Sequence, residues 1–279
     1  AEDMRYVSRF DYETMPLEGA IIKLRGMGDN EHGTAGFTVN RPLEVRVYAL
    51  GEGSGGRMYD YGWITNADTY EQVWRFEYGS TEHAGGARKN RVFDGVLKLN
   101  VGNYIAHFVT DGSHSYASWN DDRPYDAESW GITVGPVDPA DAERLASYSP
   151  TEDRRLLASM TEVGDDVTRS EDFTLDKDTR IRIFALGEGS GGRMYDYGWI
   201  ENVDDNSVVW EMTYRMSEHA GGAQKNRVVS TTLLLPAGSY RVHYVSDGSH
   251  SFWDWNADPP YEAEMWGITV KHDRAGAAS

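Results

Sequence analysis

Between Leu43 and Leu50 the chain alternates, with Leu43, Val45, Val47 and Ala49 apolar and Glu44 and Arg46 charged between them. A period of two is the mark of a strand with one buried face, because successive side chains of a strand point to opposite sides. TRIRIFAL (179–186) repeats the pattern. Further short runs at 20–24, DYGWITNA (60–67), EQVWRFEY (71–78), VFDGVLKL (92–99), NYIAHFVT (103–110) and WGITV (130–134) bring the prediction to about eight strands in the first half of the chain. Short alternating strands between glycine-rich turns predict an all-β fold, an antiparallel β-sandwich of jelly-roll type. The one predicted helix is PADAERLASY (139–148), with Asp138 as N-cap.

The second half repeats the first at an offset of 136 residues. GEGSGGRMYDYGWI occurs at 51–64 and again at 187–200, EHAGGARKNRV (82–92) matches EHAGGAQKNRV (218–228), and DGSHS recurs at 111 and 247. Aligned without gaps, 57 of the 98 positions from Phe37 to Val134 are identical in the second copy. Such self-similarity reads as an internal duplication giving two tandem domains. The predicted division is an N-terminal arm (1–17), a first sandwich (18–136), a linker with a short helix (137–152), a second sandwich (153–271) and a tail (272–279). In an up-and-down succession every second loop emerges at the same end. The loops at 26–35, 51–59, 79–91 and 111–129 form that set, and three of them hold the long identities.

Length agrees with this division, since 279 residues give each copy enough chain to bury its own core. A formal charge of -18 repels nucleic acid and anionic lipid, so neither is expected as a partner. No run of 18 apolar residues occurs, so no membrane insertion is expected. The chain has no cysteine, which excludes disulfides and thiolate metal sites. It begins Ala-Glu-Asp, as a product of signal-peptide cleavage would, and an extracellular location is the expectation.

LPAGSYRVHYVSD (235–247) and FTLDKDTRIRIFALGEG (173–189) resemble the pre-peptidase C-terminal domains appended to secreted bacterial proteins. That resemblance implies a small β-sandwich, often calcium-binding. A chain made of two such modules is also similar to extracellular tape-like filament subunits, which implies self-assembly.

Several motifs invite a chemical reading. The glycines of GEGSGG match a dinucleotide fingerprint, but that site needs a helix N-terminus after the turn and RMYDYGWI reads as strand. Ser54 lacks the glycine two positions earlier that a nucleophile elbow needs. Asp111, Ser113 and His114 are triad residue types, yet neighbours in one loop serve better as Asx- and Ser-turns. The chain is therefore expected not to be an enzyme.

The acidic loops support a different chemistry. Asp29, Asn30, Glu52, Asp60, Glu82 and Asp111, with Asp165, Asp166, Glu188, Asp196, Glu218 and Asp247 in the second copy, are expected to converge on one end of each sandwich if the strands run as predicted. Calcium takes six to eight oxygens from such groups. Pairing of the acids with Arg57, Lys89 and Arg91 is the alternative, and a zinc site from His83, His114 and Asp60 is a third. His83, His114, Trp119 and Tyr125, and their counterparts His219, His250, Trp255 and Tyr261, are candidate ligand or interface residues. The aromatics among them lie in the long loop, where they can stack on a sugar ring or enter a neighbouring subunit. The expected function is an extracellular structural protein that binds calcium and assembles head-to-tail into filaments. Its N-terminal arm is a candidate added strand, and binding of cell-surface or extracellular polysaccharide is the alternative function.

Overall fold

The computed structural model describes residues 19–273 and the backbone of Arg5–Tyr6. The chain divides between Asp153 and Arg154 into two compact units. The first contains β1 (Arg5–Tyr6), β2 (Ile22–Arg25), β3 (His32–Val39), β4 (Leu43–Ser54), β5 (Arg57–Met58), β6 (Tyr61–Asn66), β7 (Glu71–Arg75), β8 (Glu82–His83), β9 (Asn90–Leu99), β10 (Gly102–Val109), β11 (Gly131–Pro136) and β12 (Leu145–Tyr148). The second contains β13 (Leu156–Met160), β14 (Thr168–Leu175), β15 (Thr179–Ser190), β16 (Arg193–Met194), β17 (Tyr197–Asn202), β18 (Val208–Glu211), β19 (Glu218–His219), β20 (Asn226–Leu235), β21 (Gly238–Val245) and β22 (Gly267–His272).

In the first unit one sheet runs β1-β9-β4-β11-β2 and the other β12-β3-β10-β6-β7; in the second the orders are β13-β22-β15-β20-β19 and β14-β21-β17-β18. When the eight long strands of each unit are numbered along the chain, one sheet holds the first, eighth, third and sixth. The other holds the second, seventh, fourth and fifth, and this is the jelly-roll arrangement. All the named pairings are antiparallel, as between β4 and β9 from Leu43↔Leu99 to Glu52↔Asn90.

Alternation explains the core. Leu43, Val45, Val47 and Ala49 of β4 are buried, and they meet Phe37, Ile64, Tyr104, Phe108, Trp130, Ile132 and Val134 in one apolar cluster. Phe37 stacks on Tyr104 at 5.4 Å, and Phe173 on Tyr240 at the same distance. Each of these tyrosines turns its hydroxyl back to a carbonyl at the preceding turn, Tyr104 to Asn100 (3.0 Å) and Tyr240 to Pro236 (2.9 Å). The glycine-tyrosine turn therefore buries a ring while satisfying its polar end.

Several boundaries differ from the sequence reading. The loop predicted at 26–35 ends at Glu31, because His32 onward pairs with β10. The predicted helix at 139–148 is a 3-10 turn over Pro139–Arg144, capped by Asp138, whose Oδ1 accepts the Ala140 N–H. Leu145–Tyr148 then pairs with β3, so this part of the predicted linker is an edge strand of the first unit. In the arm, Arg5–Tyr6 pairs with Val96 and Gly95 of β9, while the rest of 1–17 lies outside the described residues. Of the predicted tail, His272 ends β22 and the Asp273 N–H donates to Arg180, and 274–279 lie outside the description.

Candidate metal centre

The longest strand of each unit leads into the site. β4 runs on to Ser54, turns through Gly55 and Gly56, whose φ values are +61° and +86°, and returns as β5. Two positive φ values in a two-residue hairpin loop are the geometry glycine makes available. The glycines that mimic a nucleotide fingerprint thus build a hairpin, and strand rather than helix follows it.

This hairpin sets Glu52 at the end of β4 and Asp60 just before β6, while Asp111 follows β10. One ligand-capable oxygen from each of Glu52, Asp60 and Asp111 falls within 4.8 Å of the others. Glu188, Asp196 and Asp247 do the same in the second unit. Asp60 is wholly buried; its Oδ1 accepts the Asp111 N–H at 2.8 Å and its Oδ2 accepts the Trp130 indole N–H at 2.9 Å. Asp196 is held alike by Asp247 (2.8 Å) and Trp266 (3.1 Å). Asp111 Oδ1 accepts the Ser113 N–H, an Asx-turn that fixes its carboxylate.

Burial dominates the electrostatics. It pushes Asp60 up to about 8 and Asp196 up to about 7, against the two donated hydrogen bonds. Glu52 and Glu188 are likewise raised by burial, with Lys89 and Lys225 opposing the shift. Lys89 Nζ sits 3.0 Å from Glu52 Oε1, and Lys225 Nζ 3.0 Å from Glu188 Oε1. The other oxygen of each glutamate, Oε2, is buried with no hydrogen-bond partner among the described residues. Three carboxylates and one lysine leave the pocket net negative and incompletely satisfied. A hard cation with an oxygen shell answers both deficits, and the absence of sulfur and imidazole from the cluster suits calcium or magnesium better than zinc.

The flanking loops are locked by amides. Asn90 Nδ2 donates to the carbonyls of Gly85 (2.7 Å) and Asp122 (2.9 Å), which leaves its Oδ1 to meet His114 Nε2 at 2.6 Å. Asn226 repeats this with Gly221, Asp258 and His250. His114 and His250 are fully buried, and burial lowers both imidazoles, His250 to about 4. They act as neutral struts.

The other predicted residues scatter. Asp29 accepts the Ser115 hydroxyl at 2.5 Å, and Asn30 is exposed with its backbone N–H on the Asp111 carbonyl. Asp165 and Asp166 occupy the matching places, Asp166 with its N–H on the Asp247 carbonyl. Glu82 and Glu218 are exposed in the two-residue strands β8 and β19 and stand outside the two carboxylate clusters. His83 and His219 turn to the carbonyls of Ala87 and Ala223, and His114 to Asn90 and Asn120, so the zinc grouping with Asp60 does not form. Of the three cations proposed as partners for the acids, Lys89 pairs with Glu52, while Arg91 bonds Thr81 and lies over the Tyr78 ring at 4.6 Å.

Trp119 and Trp255 are half-buried and pack edge-on against Trp130 (4.9 Å) and Trp266 (5.0 Å), so they are loop packing rather than open platforms. Tyr125 is 72% exposed and Tyr261 36%. Each lies over a glycine at positive φ: a Cβ on Gly85 would fall 2.3 Å from the Tyr125 ring, and one on Gly221 2.5 Å from Tyr261. The sequence reading missed Asn90 and Asn226, although both stand inside the repeated KNRV. It also missed Trp253, which is 82% exposed where the first unit has Ala117. That difference between copies was its only signal.

No family model matches the chain, and no curated protein does. Among solved structures, the CUB1-EGF-CUB2 domain of human MASP-1/3 is similar at 11% identity, covering 88% of this chain and 95% of that one, with a TM-score of 0.26. The CUB1-EGF-CUB2 domains of rat MASP-1 are similar at 10% identity over 88% and 93%, with a TM-score of 0.24. The strand order, and not these likenesses, establishes the fold.

Proposed function

We propose that this is an extracellular, non-enzymatic protein that binds one divalent cation, calcium above others, in each unit, and that self-associates. One observation carries the cation reading: in each cluster a glutamate oxygen is buried without a hydrogen-bond partner beside two carboxylates, one of which burial holds far above its usual range. Calcium at about 100 times Kd adds about 2.7 kcal/mol per site to stability. For units of this size that raises Tm by on the order of 10 °C. A melting curve identical in excess calcium and in chelator, with no heat on calorimetric titration, refutes the reading.

Self-association draws support from sheet edges. The outer side of β9 is paired by β1 at Gly95 and Val96, whereas the corresponding Thr231 and Thr232 of β20 pair with no outer strand among the described residues. VVSTTLLL (228–235) carries no charge, and Leu234 is 59% exposed, so the edge lacks the guards that keep strands apart. Sedimentation across micromolar concentrations checks this, and a monomer throughout excludes it.

Polysaccharide binding is the second reading, and it now rests on Trp253. An indole exposed on a turn and flanked by Asp254 and Asn256 offers a sugar a stacking face and hydrogen-bond acceptors. Glycan-array binding that disappears in Trp253→Ala supports it. Binding that survives that change moves the site elsewhere.

A further inference from the structure

We propose that the two cation sites are unequal: the second unit's site takes a divalent cation roughly tenfold more tightly than the first, because Asp165 and Asp166 supply carboxylate charge that the first unit ties down or lacks. This rests on the reading of the two carboxylate clusters as cation sites.

Two adjacent positions of the first loops matter: the first is an aspartate in both units, Asp29 and Asp165, in different surroundings, and the second is Asn30 in one and Asp166 in the other, with the exposed Glu31 standing next to it where the second unit has Val167. In the first unit Asp29 is engaged, because Ser115 Oγ donates to its Oδ1, and hydrogen bonds from Ser115 and Ser118 hold the carboxyl below its usual range. In the second unit the pair is open. Asp165 Oδ1 is buried without a hydrogen-bond partner among the described residues, and so is the hydroxyl of Ser251, the counterpart of Ser115. Asp165 thus keeps an unpaired carboxylate oxygen next to Asp166, whose N–H is bound to the carbonyl of the cluster residue Asp247 at 2.8 Å.

The next position is Asn30 in one unit and Asp166 in the other. Both have left-handed backbones, at φ +56° and +54°, and both donate their N–H at 2.8 Å to the carbonyl of the cluster aspartate, Asp111 or Asp247. Their side chains lie beside the following glycine, the nearest oxygen of each falling 3.4 Å from a Cβ built on Gly112 and 3.2 Å from one on Gly248. An amide is thus replaced by a carboxylate of the same shape at the same place.

The positive side does not compensate, since Lys89 and Lys225 sit at the same 3.0 Å from their glutamates. In the first unit's long loop Asp121 stands where the second has Ala257. Its Oδ1 accepts the Asp122 N–H in that exposed loop. A difference of one unit charge in the solvent-screened surroundings of a dication corresponds to on the order of tenfold in affinity.

Calcium titration calorimetry on the whole chain, with Asp60→Asn and Asp196→Asn each silencing one site, reads the two affinities separately. Terbium emission gives a second readout, because the Trp130 and Trp266 indoles touch ligand carboxylates. The expected result is a tight phase lost in Asp196→Asn and a weak phase lost in Asp60→Asn. Asp165→Asn, which leaves the cluster intact, narrows the gap several-fold, and Asn30→Asp tightens the first site. Equal dissociation constants in the two silenced variants, or a gap unchanged by Asp165→Asn, overturn the inequality while leaving the cation sites standing. No heat and no terbium emission in the unaltered chain overturn both.

Discussion

At the scale of single residues, the amide of Asn226 satisfies three partners at once. Its Nδ2 donates to Gly221 and Asp258, and its Oδ1 faces His250, with all three of Asn226, His250 and Ser251 buried. Removing it leaves the Gly221 carbonyl and a His250 imidazole nitrogen without this partner, while the Asp258 carbonyl keeps the Ala223 N–H at 2.9 Å, and each buried group so left costs about 1–3 kcal/mol. Asn226→Ala is therefore expected to lower the stability of the second unit by roughly 2 kcal/mol or more, read as a fall in denaturant midpoint. Asn226→Asp tests the direction of the hydrogen bonds, because a carboxylate accepts where two donors are required. It should be at least as damaging as alanine, and a stability within about 0.5 kcal/mol of the parent would contradict the clamp.

At the scale of elements, the AGGA loop and the long loop form one body, and the glycines make their close approach possible. Gly222 has φ +62°, and a Cβ there would lie 2.0 Å from the Pro259 carbonyl oxygen. Gly222→Ala must move backbone as well as hold a positive φ, so a loss of roughly 2 kcal/mol or more is expected, against about 1 kcal/mol for Gly192→Ala, where the φ of +87° is the whole cost because a Cβ meets nothing within 4 Å. Chemical unfolding of the two variants decides it, and equal losses would mean that the loops are not packed as described. Such contacts also explain what was legible in the sequence. LEVRVYAL shows its strand because one face of β4 is buried and the other is not. Leu145–Tyr148 does not, since its few residues fit a helical turn equally well and the choice is made by β3, more than a hundred residues earlier. Glu52, Asp60 and Asp111 are visible as acids in repeated loops. Glu82 has the same credentials, and only the two-residue pairing of β8 with β9 turns it to solvent.

At the scale of the whole molecule, the clusters couple stability to pH and to cations together. Asp60 and Asp196 titrate near 8 and 7 in the folded chain because burial penalises their charge, whereas in the unfolded chain an aspartate titrates near 4. The folded state thus binds more protons between those values. The stabilising contribution is fully present below about pH 4 and is lost as pH rises through 7 to 8, opposite to the behaviour of a carboxylate in an ion pair. Glu52 and Glu188 shift in the same direction and reinforce it. A bound dication reverses the balance by favouring the ionised form, so it competes with the protons. In chelator, Tm is expected to fall between pH 5 and 8 from these groups, by an amount worth a few kcal/mol across the two units. Saturating calcium should flatten or invert that slope, and its stabilisation should be larger at pH 8 than at pH 5. Asp60→Asn and Asp196→Asn, which cannot ionise, should each remove part of both effects. A pH profile that is parallel with and without calcium would show that no metal ion meets these carboxylates, and one that rises with pH in chelator would show that lysine pairing alone governs them.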